Sequence, residues 1–151
     1  MYKRQTLHLL LGKIAADEGD SKTAALHYEL GLQDHPNMAS LLNNYAWLIG
    51  VQTEDEPARA LELINAAISE SPKNVEFLDT RGEIQMRLKN WKQAISDFEQ
   101  VISVVRDRPR IYSSLARAYS ELGLDAQAER FQVIARELEQ RSRSVQPGQN
   151  Q

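Results

Sequence analysis

The sequence contains no cysteine, and only five prolines, seven glycines and 7% aromatic residues among its 151 positions. Without thiols it has neither a disulfide framework nor a thiolate zinc site. An excess of charge is also missing: 18 basic residues stand against 21 acidic ones, a formal net charge of −3, whereas a nucleic-acid-binding surface ordinarily leaves a basic excess or stripe. The arginines that come closest, Arg106, Arg108, Arg110, Arg141 and Arg143, are diluted by Asp107 and other acidic neighbours and read as solvated faces. No apolar run approaches the ~20 residues that span a bilayer. Residues 7–11 are interrupted by His8 and followed by Lys13 with no small-residue cleavage site, so the start does not read as a signal peptide. There is no glycine-rich phosphate loop, and no base is placed to activate a serine. The three histidines, His8, His27 and His35, lack a partner histidine at i+4 or paired carboxylates at metal-ligand spacing. His27 is expected on an outer face and His35 in the turn before Pro36. No catalytic centre, metal or cofactor is expected from these residues.

What the chain does contain is a period. Gly12, Ala46, Gly82 and Ala116 are separated by 34, 36 and 34 positions, and Ala24, Ala60, Ala94 and Ala128 by 36, 34 and 34. Self-similarity at 20–50 residues is the mark of a repeat architecture. Pro36 and Pro72 each follow a second-series alanine by 12 residues, with Arg106 in the third equivalent place. Between the markers the apolar spacing is helical, as in Leu42, Tyr45, Ala46 and Ile49 or Leu61, Ile64, Ala67 and Ile68. Turn signals at Gly19-Asp20, residues 53–57, Lys89-Asn90 and Gly123 separate the stretches. This predicts eight helices, near 4–18, 21–34, 39–51, 56–70, 75–88, 91–105, 109–122 and 125–142, with Asp125 as an N-cap. Residues 143–151 are too polar to offset ordering entropy and are expected to be disordered.

These residues resemble the tetratricopeptide repeat, a 34-residue helix–turn–helix with the pattern W-x2-L-G-x2-Y, A-x3-F, P. The matches are Leu11-Gly12, Ala24, Tyr28 and Pro36; Tyr45-Ala46, Ala60, Ile64 and Pro72; Gly82, Ala94 and Phe98; and Leu115-Ala116, Tyr119 and Ala128. The resemblance covers residues 5–142, with repeats at about 5–38, 39–74, 75–108 and 109–142. It implies an all-α, right-handed solenoid of four helix hairpins. Small residues are expected where the alanines of each second helix approach the first, and Tyr28, Ile64, Phe98 and Tyr119 between successive helices. His8 stands at a packing-aromatic position, Trp91 at a structural one. Arg81, Gln85 and Gln132 depart from the pattern. Residues 42–48 are also similar to bacterial arrays, envelope ones included.

The resemblance further implies a concave surface lined by the first helix of each pair. Spacing places there Thr6, Leu9, Leu10 and Lys13; Ser40, Asn43, Asn44 and Trp47; Glu76, Asp79, Thr80, Glu83 and Arg87; and Arg110, Ser113, Ser114 and Arg117. The upper half is expected to be apolar around Leu9, Leu10 and Trp47, the lower half charged. Asn43 and Asn44 suit hydrogen bonding to a peptide backbone, and Trp47 suits an apolar anchor, since aromatic residues dominate interface hot spots; Trp47 packed between helices is the alternative. Leu9, Lys13, Thr80, Arg110 and Arg117 complete the candidate partner-binding set. Glu76, Asp79 and Glu83 face Arg110 and Arg117, which reads as mutual salt bridging rather than an acidic docking site. A carboxylate clamp of the Lys, Asn, Asn, Lys, Arg kind is not supported: one register matches only at Asn44, the other supplies one basic residue, Arg110.

The expected function is therefore a non-enzymatic scaffold that binds a protein or peptide segment in the concave groove, with neither nucleic acid nor membrane insertion. A second reading concerns the ends. Gln132, Arg136, Glu139 and Gln140 give the last helix the polar face of a capping repeat, whereas Leu7, Leu11 and Ile14 leave the first helix an apolar edge. On that reading the chain is the C-terminal part of a longer array, or self-associates through that edge. The compartment stays open, cytoplasmic for a complete chain and periplasmic or envelope for a fragment.

Overall fold

A computed structural model describes residues 3–144. Eight α-helices follow one another: α1 Lys3–Asp17, α2 Ser21–Asp34, α3 Ala39–Trp47, α4 Pro57–Glu70, α5 Val75–Arg87, α6 Trp91–Val104, α7 Pro109–Glu121 and α8 Asp125–Ser144. They pack as four hairpins, α1/α2, α3/α4, α5/α6 and α7/α8, each laid on the next, and no strand occurs among the described residues. Arg143 and Ser144, expected in the disordered tail, close α8, and the rest of that tail, 145–151, lies outside the described residues. Asp125 is the first residue of α8 rather than its cap, where a carboxylate still faces the positive end of the helix.

The turns inside the hairpins explain where the helices stop. Gly19, Lys89 and Gly123 each lie seven residues after a small residue of the first series and each adopts a left-handed conformation, with φ of 82°, 58° and 71°. Around them the amides of Asp20, Asn90 and Leu124 donate to the carbonyls of Ala15, Gln85 and Tyr119 at 2.8, 2.9 and 3.0 Å. Those are Schellman closures, which satisfy the last carbonyls of a helix and reverse the chain. The second hairpin carries the two extra residues and solves the turn differently. After Trp47 the helix widens into a π-helical turn, Leu48–Gln52, with Thr53 N–H donating to Leu48 C=O at 2.9 Å, and the left-handed residue moves to Glu54. A π turn absorbs an inserted residue without breaking the helix. The predicted helix over 39–51 is thus α for nine residues and π beyond.

Packing refines the role of the small residues. A Cβ on Gly82 would stand 2.5–2.8 Å from the ring carbons of Phe98, and one on Gly12 would collide with the ring of Tyr28. The nearest neighbours of these glycines are therefore the rings four residues beyond Ala24 and Ala94. Tyr28, Ile64 and Phe98 are buried between helices, as anticipated. In the fourth repeat Phe131, one place before Gln132, fills this role and stacks on Tyr119 with ring centroids 5.4 Å apart.

Two apolar cores result. Tyr28, Leu41, Leu42, Tyr45, Leu48, Ile64, Phe77 and Ile84 belong to the first; Leu78, Met86, Phe98, Val101, Ile111 and Leu115 belong to the second, against which Trp91 packs. The two departures on α5 are compensated. Arg81 reaches Asp97 of α6 with Nε donating to Oδ2 at 2.8 Å and Nη2 to Oδ1 at 2.7 Å, and its Nη1 donates to Asn65 Oδ1 of α4 at 3.1 Å. Gln85 accepts from Asn90 Nδ2 at 2.8 Å. Polar residues stand where apolar ones were expected because each brings its own hydrogen-bond partner, a buried Asp97 for Arg81 and an exposed Asn90 for the buried Gln85.

Candidate functional site

The first helices of the hairpins enclose a cleft of about 360 Å3. Its walls bring together Lys13 from α1, Asn43, Asn44 and Trp47 from α3, Thr80 from α5 and Arg110 from α7, six of the candidate residues, together with Asp17, Tyr28, Gln52, Glu76 and Asp79. Trp47 stands at the rim, 36% exposed. Asn43 Nδ2 donates to Asn44 Oδ1 at 3.2 Å, while Asn43 Oδ1 is buried without a hydrogen-bond partner among the described residues. A buried acceptor left unpaired costs about 1–3 kcal/mol. Burial and the charge of Asp17 push the Tyr28 hydroxyl above its ordinary pKa, against a hydrogen bond with Asn44, so it enters the cleft as a neutral group.

Sequence spacing missed Asp17 and Gln52. Asp17 ends α1, beyond the stretch assigned to the concave face. Gln52 belongs to the π turn and donates from Nε2 to the Ala16 carbonyl at 3.0 Å, tying the insertion back to the first hairpin. The displaced interval between Ala46 and Ala60 was the available signal. Glu54, from the same insertion, pairs with Arg87 at 2.8 Å and ties it forward to α5.

Two other candidates lie elsewhere. Leu9 is half-buried and packs against the first core. Leu10 is 54% exposed and lies outside the lining, so the apolar upper half expected around Leu9, Leu10 and Trp47 reduces to Trp47 beside polar groups. Arg117 borders an adjoining depression with Glu83, Arg87, Arg110, Ser113 and Ser114, and among the described residues it forms no ion pair.

The floor at α5 is an ion-pair network. Arg110 donates to Asp79 Oδ1 at 2.6 Å and to Glu83 Oε1 at 2.5 Å, and Ser114 Oγ donates to the same Glu83 oxygen at 2.8 Å. Arg108, just before α7, pairs with Glu76 and reaches Asp79 at 3.6 Å. The expected internal salt bridging is thus present, but Arg108 takes the part assigned to Arg117. Burial pushes the Asp79 carboxyl up despite Arg110, whereas the hydrogen bond from Arg108 holds Glu76 below its ordinary range. Three carboxylates against two guanidinium groups leave this wall acidic by one charge.

No protein-family model matches the chain, and no curated protein matches it significantly. Solved structures do. MamA superposes with a TM-score of 0.81 over 93% of this chain and 81% of its own, at 21% identity. PilF of Pseudomonas aeruginosa gives 0.77 over 90% and 61%, at 18% identity, and a tetratricopeptide-repeat protein of Thermus thermophilus gives 0.75 over 90% and 75%, at 19%. The chain has the tetratricopeptide-repeat fold. Its four hairpins form the all-α, right-handed solenoid of that fold.

On α1, Leu7 and Ile14 are 50% and 44% exposed and share the outer face with Leu10, while Leu11 is half-buried. His27 does not lie free on an outer face: it is half-buried, with its Nδ1 3.1 Å from Nδ1 of His8. No helix among the described residues is long and apolar enough to cross a membrane.

Proposed function

We propose that this tetratricopeptide array is a non-enzymatic scaffold that holds an extended segment of a protein partner in its concave cleft. The observation that carries the reading is the convergence, in one cleft, of the Asn43 and Asn44 side-chain amides and the rim indole of Trp47. The amides can pair with a peptide backbone and the indole can cover an apolar side chain. No nucleophile with an adjacent base lines the cleft among the described residues, and catalysis plays no part in this reading. A photo-crosslinker at Asn44 in the native organism identifies the partner. With that partner, Trp47→Ala weakens binding at least ~10-fold, about 1.4 kcal/mol; unchanged affinity rejects the groove.

A second reading is favoured by the exposed stripe of Leu7, Leu10 and Ile14: assembly with a preceding repeat or a second copy through α1. There Leu7→Glu abolishes association and Trp47→Ala leaves it intact. Analytical ultracentrifugation of both variants separates the two readings.

A further inference from the structure

His8 and His27 are nineteen positions apart in sequence, on facing helices of the first hairpin, and belong neither to the cleft nor to a core cluster. Their Nδ1 atoms stand 3.1 Å apart, with ring centroids at 5.3 Å and planes tilted by 39°. Gly31, one turn beyond His27, keeps the neighbourhood tight: a Cβ there would meet Leu41 Cδ1 at 2.7 Å and Cβ of His8 at 3.3 Å. Two imidazole nitrogens bound to one metal ion at ~2.0–2.1 Å, at angles between square-planar and tetrahedral, stand about 2.9–3.4 Å apart. The observed separation is within that bite.

We propose that His8 and His27 form a two-imidazole site for a late first-row divalent ion, Cu2+ or Zn2+, that staples α1 to α2 with water completing the coordination shell. Between two neutral rings, the present contact places a proton on one Nδ1 and uses the lone pair of the other. Moving that proton to Nε2 of the same ring frees both Nδ1 lone pairs, so binding needs a tautomer change and modest rotation of the rings, with no net proton release. Among the described residues no group of three or more His, Asp or Glu side chains is placed to hold a metal ion. The site is therefore a two-ligand one, selective by donor type: Cu2+ binds more tightly than Ni2+ or Zn2+, and the oxygen-seeking Mg2+ and Ca2+ do not compete. Acidification weakens it, since protons and metal compete for the same nitrogens.

The test uses the full chain without an affinity tag. Calorimetric titration with Cu2+ and with Zn2+ gives one equivalent per chain for the wild type and for His35→Gln, and at least ~10-fold weaker binding for His8→Phe and His27→Gln. At free metal roughly 100-fold above Kd the wild-type Tm rises by about 5–10 °C. Imidazole 15N spectra of the wild type with Zn2+ move Nδ1 of both His8 and His27, a readout that needs no variant to fold. Absence of wild-type binding, one equivalent retained in His8→Phe or His27→Gln, loss in His35→Gln, or coordination through Nε2 overturns the proposal.

Discussion

Replacing Asp97 by Asn isolates what the polar departure on α5 contributes. In the wild type the Arg81 guanidinium makes two charge-assisted hydrogen bonds to a carboxylate only 3% exposed, and is itself 26% exposed. Asparagine keeps one acceptor oxygen but turns an NH2 toward guanidinium N–H groups, so one bond of about 1.5–3 kcal/mol is lost and a cation loses its counter-charge. Breaking a fully buried pair costs about 3–5 kcal/mol. Partial hydration of Arg81 softens that figure, and about 2–3 kcal/mol is expected, equivalent to about 5–10 °C in Tm for a chain of this size. Removing both partners in Arg81→Leu/Asp97→Ala returns the chain to within about 1 kcal/mol of wild type, because the desolvation penalty goes with the charges. Urea unfolding at neutral pH, read by circular dichroism and by Trp91 emission in a Trp47→Phe background, measures both quantities. Trp91 packs against the second core, so it reports the half in which the pair lies even if the array unfolds in stages. A cost below about 1 kcal/mol for Asp97→Asn, or a double variant as unstable as its parts summed, refutes the reasoning.

Other expectations follow from single positions. Lys89→Gly removes a side chain from a left-handed turn, φ 58°, and should stabilise by about 0.5–1 kcal/mol in the same urea assay. Gly82→Leu forces a side chain into the ring of Phe98 and should cost about 3 kcal/mol, lowering the unfolding midpoint, while the exposed turn residue Gly123, with open space around its Cβ position, tolerates Ala at a smaller cost set by its φ. Glu76 has a folded pKa below its unfolded value, so the stability it adds is present at neutral pH and is lost as pH falls below about 4.5; Glu76→Gln should therefore flatten the acid limb of stability. Asp79 has the opposite sign, its folded pKa being raised, and Asp79→Asn should steepen that limb; urea midpoints across the acid range check both.

The period read from Gly12, Ala46, Gly82 and Ala116 carried most of the fold, because in a solenoid each unit meets only its neighbours and local pattern dictates local packing. The π turn was legible only as two extra residues between Ala46 and Ala60, since a count does not say whether an insertion loops out or widens the helix. Arg81 and Gln85 read as defects because their partners, Asp97 and Asn90, lie 16 and 5 residues away and match no helical periodicity. The same limit hid the contact between His8 and His27, which depends on the register of two facing helices. In the cleft, Lys13, Asn43, Asn44, Trp47, Thr80 and Arg110 followed from the one-face rule for first helices. Leu10 did not, because among the described residues no further helix packs on the outer side of the first hairpin and that rule cannot tell its inner face from its edge.

Helix α5 is buried on nearly every side: Phe77 and Ile84 serve the first core, Leu78 and Met86 the second, and Asp79 and Thr80 line the cleft. Whichever half of the chain orders first therefore offers the other a finished wall on which to build. Folding that begins at this helix can grow outward in both directions using contacts close in sequence, the fast kind. The terminal hairpins, each with one open face, come last and fray first. A segment seated in the cleft touches helices from both halves, so it acts as a splint across this shared wall, and occupancy should slow amide exchange in α5 before it slows exchange at either end.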